Sequence, residues 1–303
     1  MTFPYVYHAS YSELALPDNH RFPINKYRDL YELGLKRGIL EQTRCVTPDA
    51  IDINELKQVH CPDYVDSFIN GTLTQKAMRR IGFPWSEQLV RRSLHAVNGT
   101  KLCVELALEH NVAVNLTGGY HHAHYDFGSG FCIFNDLVIA AHHAIKHYQL
   151  DKVLIIDCDV HQGDGTATLC QSVPEIITCS IHCAKNFPAR KQISDHDIEL
   201  ENGCNDSEYL AILSQSLPLL IAMHQPQLII YDAGVDIHQD DDLGYAAIST
   251  QGLMQRDQLI MQLAQSQQIP VAAVIGGGYS RNRQQLAERH YQLLSAINTT
   301  CCE

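Results

Sequence analysis

Four short clusters of histidine, aspartate, glycine and tyrosine hold most of the side chains that could do chemistry in this 303-residue chain. They read Gly118-Gly119-Tyr120-His121-His122-Ala123-His124; Asp157-Cys158-Asp159-Val160-His161-Gln162-Gly163-Asp164-Gly165; Tyr231-Asp232-Ala233-Gly234-Val235-Asp236-Ile237-His238; and Gly276-Gly277-Gly278-Tyr279. Asp159 and His161 are two apart, so in an extended segment their side chains point the same way. Asp236 would complete a three-ligand set with positions left open, the arrangement of a catalytic metal centre and not of a structural one. Two carboxylates and an imidazole nearly neutralise a divalent ion. Water bound there is acidified less than at an all-histidine site, and a neighbouring general base becomes necessary. His121 and His122 could supply it, each oriented through its other ring nitrogen, with Asp157 and Asp164 as candidate partners. Tyr279 could donate its hydroxyl to the oxyanion formed when water attacks an amide carbonyl. Taken singly, an Asp-x-His, a His-His pair or a tyrosine after glycines is more often packing or surface. Recurrence in four clusters carries the argument.

The elements that must position these clusters can be read from apolar runs. Strands are predicted at Tyr5–His8, Val112–Leu116, Lys152–Asp157, Glu175–Ile181, Gln227–Asp232 and Val271–Ile275. KVLIID, QLIIYDAG and VAAVIGGG are apolar throughout, as in strands buried on both faces. Helices are predicted at Lys26–Arg37, Glu87–His110, Asn135–Tyr148, Ser207–Met223, from Ser249 to near Gln265, and at Arg281–Ile297, with Ser86, Asp206 and Ser249 as N-caps. This alternation predicts an α/β fold with a mostly parallel sheet and helices on both faces. In such sheets ligands bind beyond the C-terminal strand ends, where the four clusters fall. Gly276–Gly278 lack the phosphate-loop pattern and have no acidic partner for a dinucleotide fingerprint; a tight turn presenting Tyr279 is the better reading.

Composition sets the outer limits. With 45% hydrophobic and 18% charged residues the chain is of ordinary globular make-up. No Pro/Gly/Ser-rich or like-charged stretch offers a linker, so residues 1–303 are read as a single catalytic domain. Neither a signal peptide nor a membrane span is found, which predicts a soluble, cytoplasmic protein with no membrane partner. The eleven cysteines show no Cys-x-x-Cys spacing and are expected to be mostly small buried hydrophobes. A net charge of −12 argues against nucleic-acid binding and is compatible with cationic substrates such as lysine side chains or polyamines. Nothing in the pattern points to an oligomeric state.

GGYHHAHYDFGSGFCIFND (Gly118–Asp136), IDCDVHQGDGT (Ile156–Thr166), YDAGVDIHQDDDLG (Tyr231–Gly244) and IGGGY (Ile275–Tyr279) resemble, in order, the signature segments of the zinc-dependent histone deacetylase family. HRFPINKYRDL (His20–Leu30) and FPWSEQLVRRS (Phe83–Ser93) further resemble its class IV branch and similar bacterial proteins. The resemblance implies an arginase/deacetylase fold with a sheet of about eight strands. It implies zinc on Asp159, His161 and Asp236, and a tandem pair His121 and His122 backed by Asp157 and Asp164. His122 would be the main base and Tyr279 would polarise the carbonyl. Gly130 and Phe131 would line an acyl-lysine channel with Phe187 opposite, and a structural potassium ion would lie near Asp157, Asp159, His161, Ser180 and the Ile181 backbone. The loop His20–Tyr27 departs from the His-Pro-x-Arg-style start of larger relatives. Glu87 and Asp126 are weak candidates for an acidic rim residue and read better as solvated surface.

The implied reaction removes an acetyl or longer acyl group from lysine side chains of a peptide or protein. An acetylpolyamine substrate uses the same catalytic residues. An arginase-like two-metal hydrolase would need a second full ligand set, and a silent acyl-lysine binding protein would be expected to have lost a ligand or the tyrosine. Mixed carboxylate and imidazole ligands suit zinc and also accept iron(II).

Overall fold

The computed structural model describes residues 3–301. One eight-stranded sheet runs through them: β1 (Tyr5–Val6), β2 (Cys45–Val46), β3 (Val112–Asn115), β4 (Val153–Asp157), β5 (Ile176–Cys183), β6 (His196–Leu200), β7 (Leu228–Asp232) and β8 (Val271–Val274). Every pairing is parallel, and the order is β2-β1-β3-β8-β7-β4-β5-β6. The mostly parallel sheet expected from the sequence is wholly parallel. Strands β3, β4, β7 and β8 are buried at every residue, as sheets sandwiched between helical layers require.

Ten α-helices accompany the sheet among the described residues: α1 (Lys26–Lys36), α2 (Ile53–Leu56), α3 (Pro62–Ile69), α4 (Gln75–Ile81), α5 (Glu87–His110), α6 (Asp136–Tyr148), α7 (Asp164–Cys170), α8 (Asp206–His224), α9 (Thr250–Ser266) and α10 (Arg283–Cys301). Ser86 caps α5 by accepting from Leu89 N, and Ser249 caps α9 by accepting from Gly252 N. Each such cap is worth about 1 kcal/mol. The cap of α8 is Asn205, one residue before the predicted Asp206, because Asn205 forms a reciprocal capping box with Glu208. Asp206 is drawn elsewhere: its carboxylate accepts from both N–H and Oγ–H of Ser249, tying the start of α8 to the cap of α9. Helix α10 starts at Arg283, two residues after the predicted start. Seven of the ten described cysteines are buried. No helix of the described residues is long and apolar enough to cross a membrane.

What matters for function is which strands are neighbours. β3, β8, β7 and β4 are consecutive at the centre of the sheet and all point one way. The loops that follow them, carrying the four polar clusters, therefore emerge side by side.

Candidate functional site

Asp159, His161 and Asp236 converge where the loops after β4 and β7 meet. All three are buried, and their ligand-type atoms lie within 4.8 Å of one another. His161 Nδ1 is 2.8 Å from Asp159 Oδ1 and 3.2 Å from Asp236 Oδ2. Backbone N–H groups hold the other contacts: Val160 N donates to Asp236 Oδ1 and His161 N to Asp159 Oδ1, each at 2.9 Å. Behind them, the buried Arg256 guanidinium donates to the carbonyls of Gly234 (2.6 Å) and Ala233 (3.4 Å) and to Asp257 (2.8 Å). It fixes the turn that delivers Asp236.

The tandem histidines sit on the adjacent loop. His121 Nδ1 is 2.7 Å from Asp157 Oδ2, and His122 Nδ1 is 2.6 Å from Asp164 Oδ1. Each ring nitrogen facing a carboxylate carries a hydrogen, which leaves Nε2 as the acceptor wherever the ring is neutral. The loop is anchored from beneath by Asp136, at the start of α6, which accepts from Tyr120 N (2.8 Å), Gly119 N (3.2 Å) and Thr100 Oγ1 (2.6 Å). Burial and the neighbouring His121 push the His122 pKa down to about 4. Burial opposes a charge on His121 too, but Asp157 and Asp159 outweigh it and raise its pKa well above the usual range.

Two residues here were not singled out from the sequence. Asp232, the last residue of β7, joins His121 and Asp157 in a second buried group with ligand-type atoms within 4.8 Å. It stood inside a quoted segment, and its position at a strand end was the available signal. His124 shares Asp164 with His122, its Nε2 lying 3.1 Å from Asp164 Oδ2. The predicted potassium set overlaps this region only partly. Asp157 and Ser180 are register partners on β4 and β5, Ile181 follows on β5, and Ser180 Oγ lies 3.0 Å from His182 Nδ1.

The donor set fits a divalent cation. Burial and mutual repulsion raise the Asp236 and Asp232 carboxyl pKa values, Asp159 being the charged neighbour of Asp236 and Asp157 that of Asp232. Both oxygens of Asp232 are buried without a hydrogen-bond partner, and Asp236 Oδ2, approached by His161 Nδ1 at 3.2 Å, makes no hydrogen bond. Acceptors left this way are expensive unless a cation meets them. Gly277 adjoins the cluster at φ +52°, and a Cβ there would come within 2.5 Å of Asp159 Oδ2 and of Asp236. Only glycine leaves that space open.

Tyr279 follows this turn. Its N–H donates to Asp241 Oδ2 at 2.7 Å, and Lys26 Nζ donates to the Gly277 carbonyl, so both ends of the turn are held. Burial and the nearby Asp159 and Asp236 raise the tyrosine pKa well above its usual value, keeping the hydroxyl protonated as a donor.

His122, His161 and Tyr279 open into one cavity of about 780 Å³, lined also by Gly130, Phe131 and Phe187. The Phe187 ring is 4.8 Å from the His122 ring and perpendicular to it, and the Phe131 ring is 5.9 Å from Tyr279. Phe131 has φ +67°, outside the range comfortable for a bulky side chain, and its N–H is held by the Ile81 carbonyl at 2.7 Å. A Cβ at Gly130 would approach His122 Cδ2 to 2.6 Å. Neither Glu87 nor Asp126 lines this cavity. The loop His20–Tyr27 lies behind it: His20 Nε2 bonds the Gly82 carbonyl, and Phe22 packs against Phe83 and Phe131.

Known proteins share this fold. The histone deacetylase domain family matches residues 20–295, and the chain belongs to that family. It is 47% identical to an uncharacterized protein of Picosynechococcus sp. over 96% of both chains. It is 29% identical to histone deacetylase 2 of Arabidopsis thaliana, covering 91% of this chain and 74% of that one. It is 27% identical to the acetoin utilization protein AcuC of Staphylococcus aureus, covering 90% and 76%. Among solved structures, an HDAC homolog complexed with SAHA superimposes with a TM-score of 0.84 at 19% identity, covering 99% of this chain and 84% of that one. Family membership supports a deacetylase or amidohydrolase activity.

Proposed function

We propose that the protein is a metal-dependent amidohydrolase that removes an acyl group from a lysine side chain. The observation that carries this reading is the opening of His122, His161 and Tyr279 into one cavity walled by Phe131 and Phe187. An aliphatic stem threads between two aromatic rings, while its far end meets an acceptor-rich cluster, an imidazole and a phenol.

Asp159, His161 and Asp236 would hold the cation, zinc or iron(II) by the softness of the set. When bound, it would polarise the acyl carbonyl and acidify the attacking water. His122, its Nδ1–H fixed on Asp164, takes the water proton at Nε2 and returns it to the leaving amine. His121, paired with Asp157, orients beside it. The Tyr279 hydroxyl donates to the carbonyl oxygen as charge builds there, since the amide becomes an oxyanion and the donor is already in position. Phe131 and Phe187 exclude water from the amide and align the stem.

The test is turnover of acetyl- and long-chain-acyl-lysine peptides by zinc-loaded protein and by chelator-treated protein. Release of free amine that disappears with the chelator and returns with zinc is the expected result. No release from any acyl-lysine peptide by protein shown to contain stoichiometric metal would sink the reading.

A further inference from the structure

The cavity mouth carries a charge that the net composition hides. The chain has 34 acidic against 22 basic residues, yet Arg79, Arg80 and Arg190 all line the cavity that holds His122 and Tyr279. All three are exposed. Among the described residues none of them pairs with a carboxylate, whereas Arg37, Arg256 and Arg283 each do. Asp164 is the sole acid among the lining residues, and both its oxygens are taken by His122 and His124.

Arg80 is held in place. Its guanidinium lies 3.4 Å over the Phe127 ring, which stacks on His124 at 4.3 Å. This contact fixes the cation through the ring face and leaves its N–H donors without an acceptor among the described residues. A bland account exists for part of the pattern: Arg79 and Arg80 fall in the last turn of α4, where cations suit the helix end. That account does not reach Arg190, which comes from the segment between β5 and β6 and faces the same cavity.

We infer that this mouth selects acyl-lysine set among carboxylates, that is, an acidic peptide segment, over acyl-lysine in a basic segment or an acylated polyamine. The inference rests on the amidohydrolase reading of the site. It replaces the expectation of a cationic substrate drawn from net charge, because a substrate meets the local field of the cleft and not the molecule's total. Three guanidiniums with free, fork-shaped donors match carboxylates, and they repel a second ammonium brought to the rim.

The test is the binding of fluorescent acetyl-lysine peptides by anisotropy to the zinc-loaded full chain carrying Tyr279→Phe, which keeps the peptides intact. The flanks would carry aspartate and glutamate, serine and glycine, or lysine. The acidic peptide is expected to bind roughly tenfold tighter than the neutral one, and the basic peptide more weakly still. The contrast should shrink as salt rises from about 50 to 500 mM, since exposed charges are screened. The triple variant R79Q/R80Q/R190Q should lose most of the preference, and R79K/R80K/R190K, which keeps the charge, should retain much of it. Equal binding of the three peptides, or tighter binding of the basic one, overturns the inference. So does a preference that survives the glutamine variant. Turnover measured in parallel with Tyr279 in place separates the two readings. Cleavage without charge preference removes only this inference, whereas an acidic preference without cleavage of any peptide removes the amidohydrolase and leaves the anion-selective cleft.

Discussion

The chemistry of the site rests on a few atoms whose alternatives are costly. Tyr279 lines the cavity on a turn pinned at Asp241 and Lys26. Tyr279→Phe removes one oxyanion donor and leaves the metal ligands untouched, so turnover should fall roughly 10²–10³-fold with metal content unchanged. Metal analysis beside steady-state kinetics checks this, and a fully active variant would remove the tyrosine from the mechanism. Gly277→Ala attacks the cluster differently. Its Cβ would press on Asp159 and Asp236 from a left-handed backbone, so the variant should lose about 1–3 kcal/mol of stability and bind divalent metal at least tenfold more weakly. Thermal melts and metal titration read the two effects separately; unchanged metal affinity would mean that the ligand pair can shift aside.

At the scale of elements, one buried histidine joins the reactive loop to its supporting helix. His60 donates from Nδ1 to the His124 carbonyl at 2.8 Å and accepts at Nε2 from Asn135 N at 2.9 Å, the cap of α6. Both nitrogens are committed to the neutral tautomer, and burial pushes the pKa down to about 4. The unfolded chain takes up this proton near pH 6.5 and the folded one only near 4. The stability His60 confers is therefore complete above pH 6.5 and lost as pH falls from there toward 4, by about 3 kcal/mol. The stability gap between the wild type and His60→Asn should shrink by that amount from pH 7 to pH 4 in denaturant titrations; a constant gap would count against a neutral His60.

The elements also show what a sequence can and cannot disclose. KVLIID, QLIIYDAG and VAAVIGGG announced β4, β7 and β8 because strands buried on both faces must be apolar at every position. Strand β6 went unread because HDIEL is a polar edge segment with alternating exposure. Strands β1 and β2 are two residues each and hold no periodicity, so β1 ends two residues short of its predicted end at His8 and β2 leaves no signal in the sequence. Helices α2, α3, α4 and α7 span four to eight residues, shorter than the window in which an amphipathic period can be counted. In the site, spacing pointed to the Asp159–His161 pair, which is local. The roles of Asp232, His124 and the three mouth arginines depend on contacts between distant segments and needed three dimensions.

For the whole molecule, a cation held by Asp159 and Asp236 would bridge the loops after β4 and β7, and it would bind the folded state alone. Added zinc should then raise the melting temperature by a few degrees, about 2.7 kcal/mol at a hundredfold excess over Kd. Asp236→Ala should abolish that rise. Calorimetry with and without zinc checks it, and an undiminished rise in the variant would take Asp236 out of the ligand set.

The strand order has a consequence for biosynthesis. β8 follows the other seven described strands in the sequence, yet it is inserted between β3 and β7 at the centre of the sheet, pairing Val112 with Val271 and Ile229 with the same residue. A ribosome-bound chain that has not released β8 has two half-sheets with open inner edges, and the turn carrying Tyr279 is missing. Long-range parallel pairing is slow to form and leaves such edges exposed to other chains. Synthesis therefore passes through a stage at which seven of the eight described strands are made, the turn carrying Tyr279 is still missing from the site, and the open edges expose the chain to aggregation.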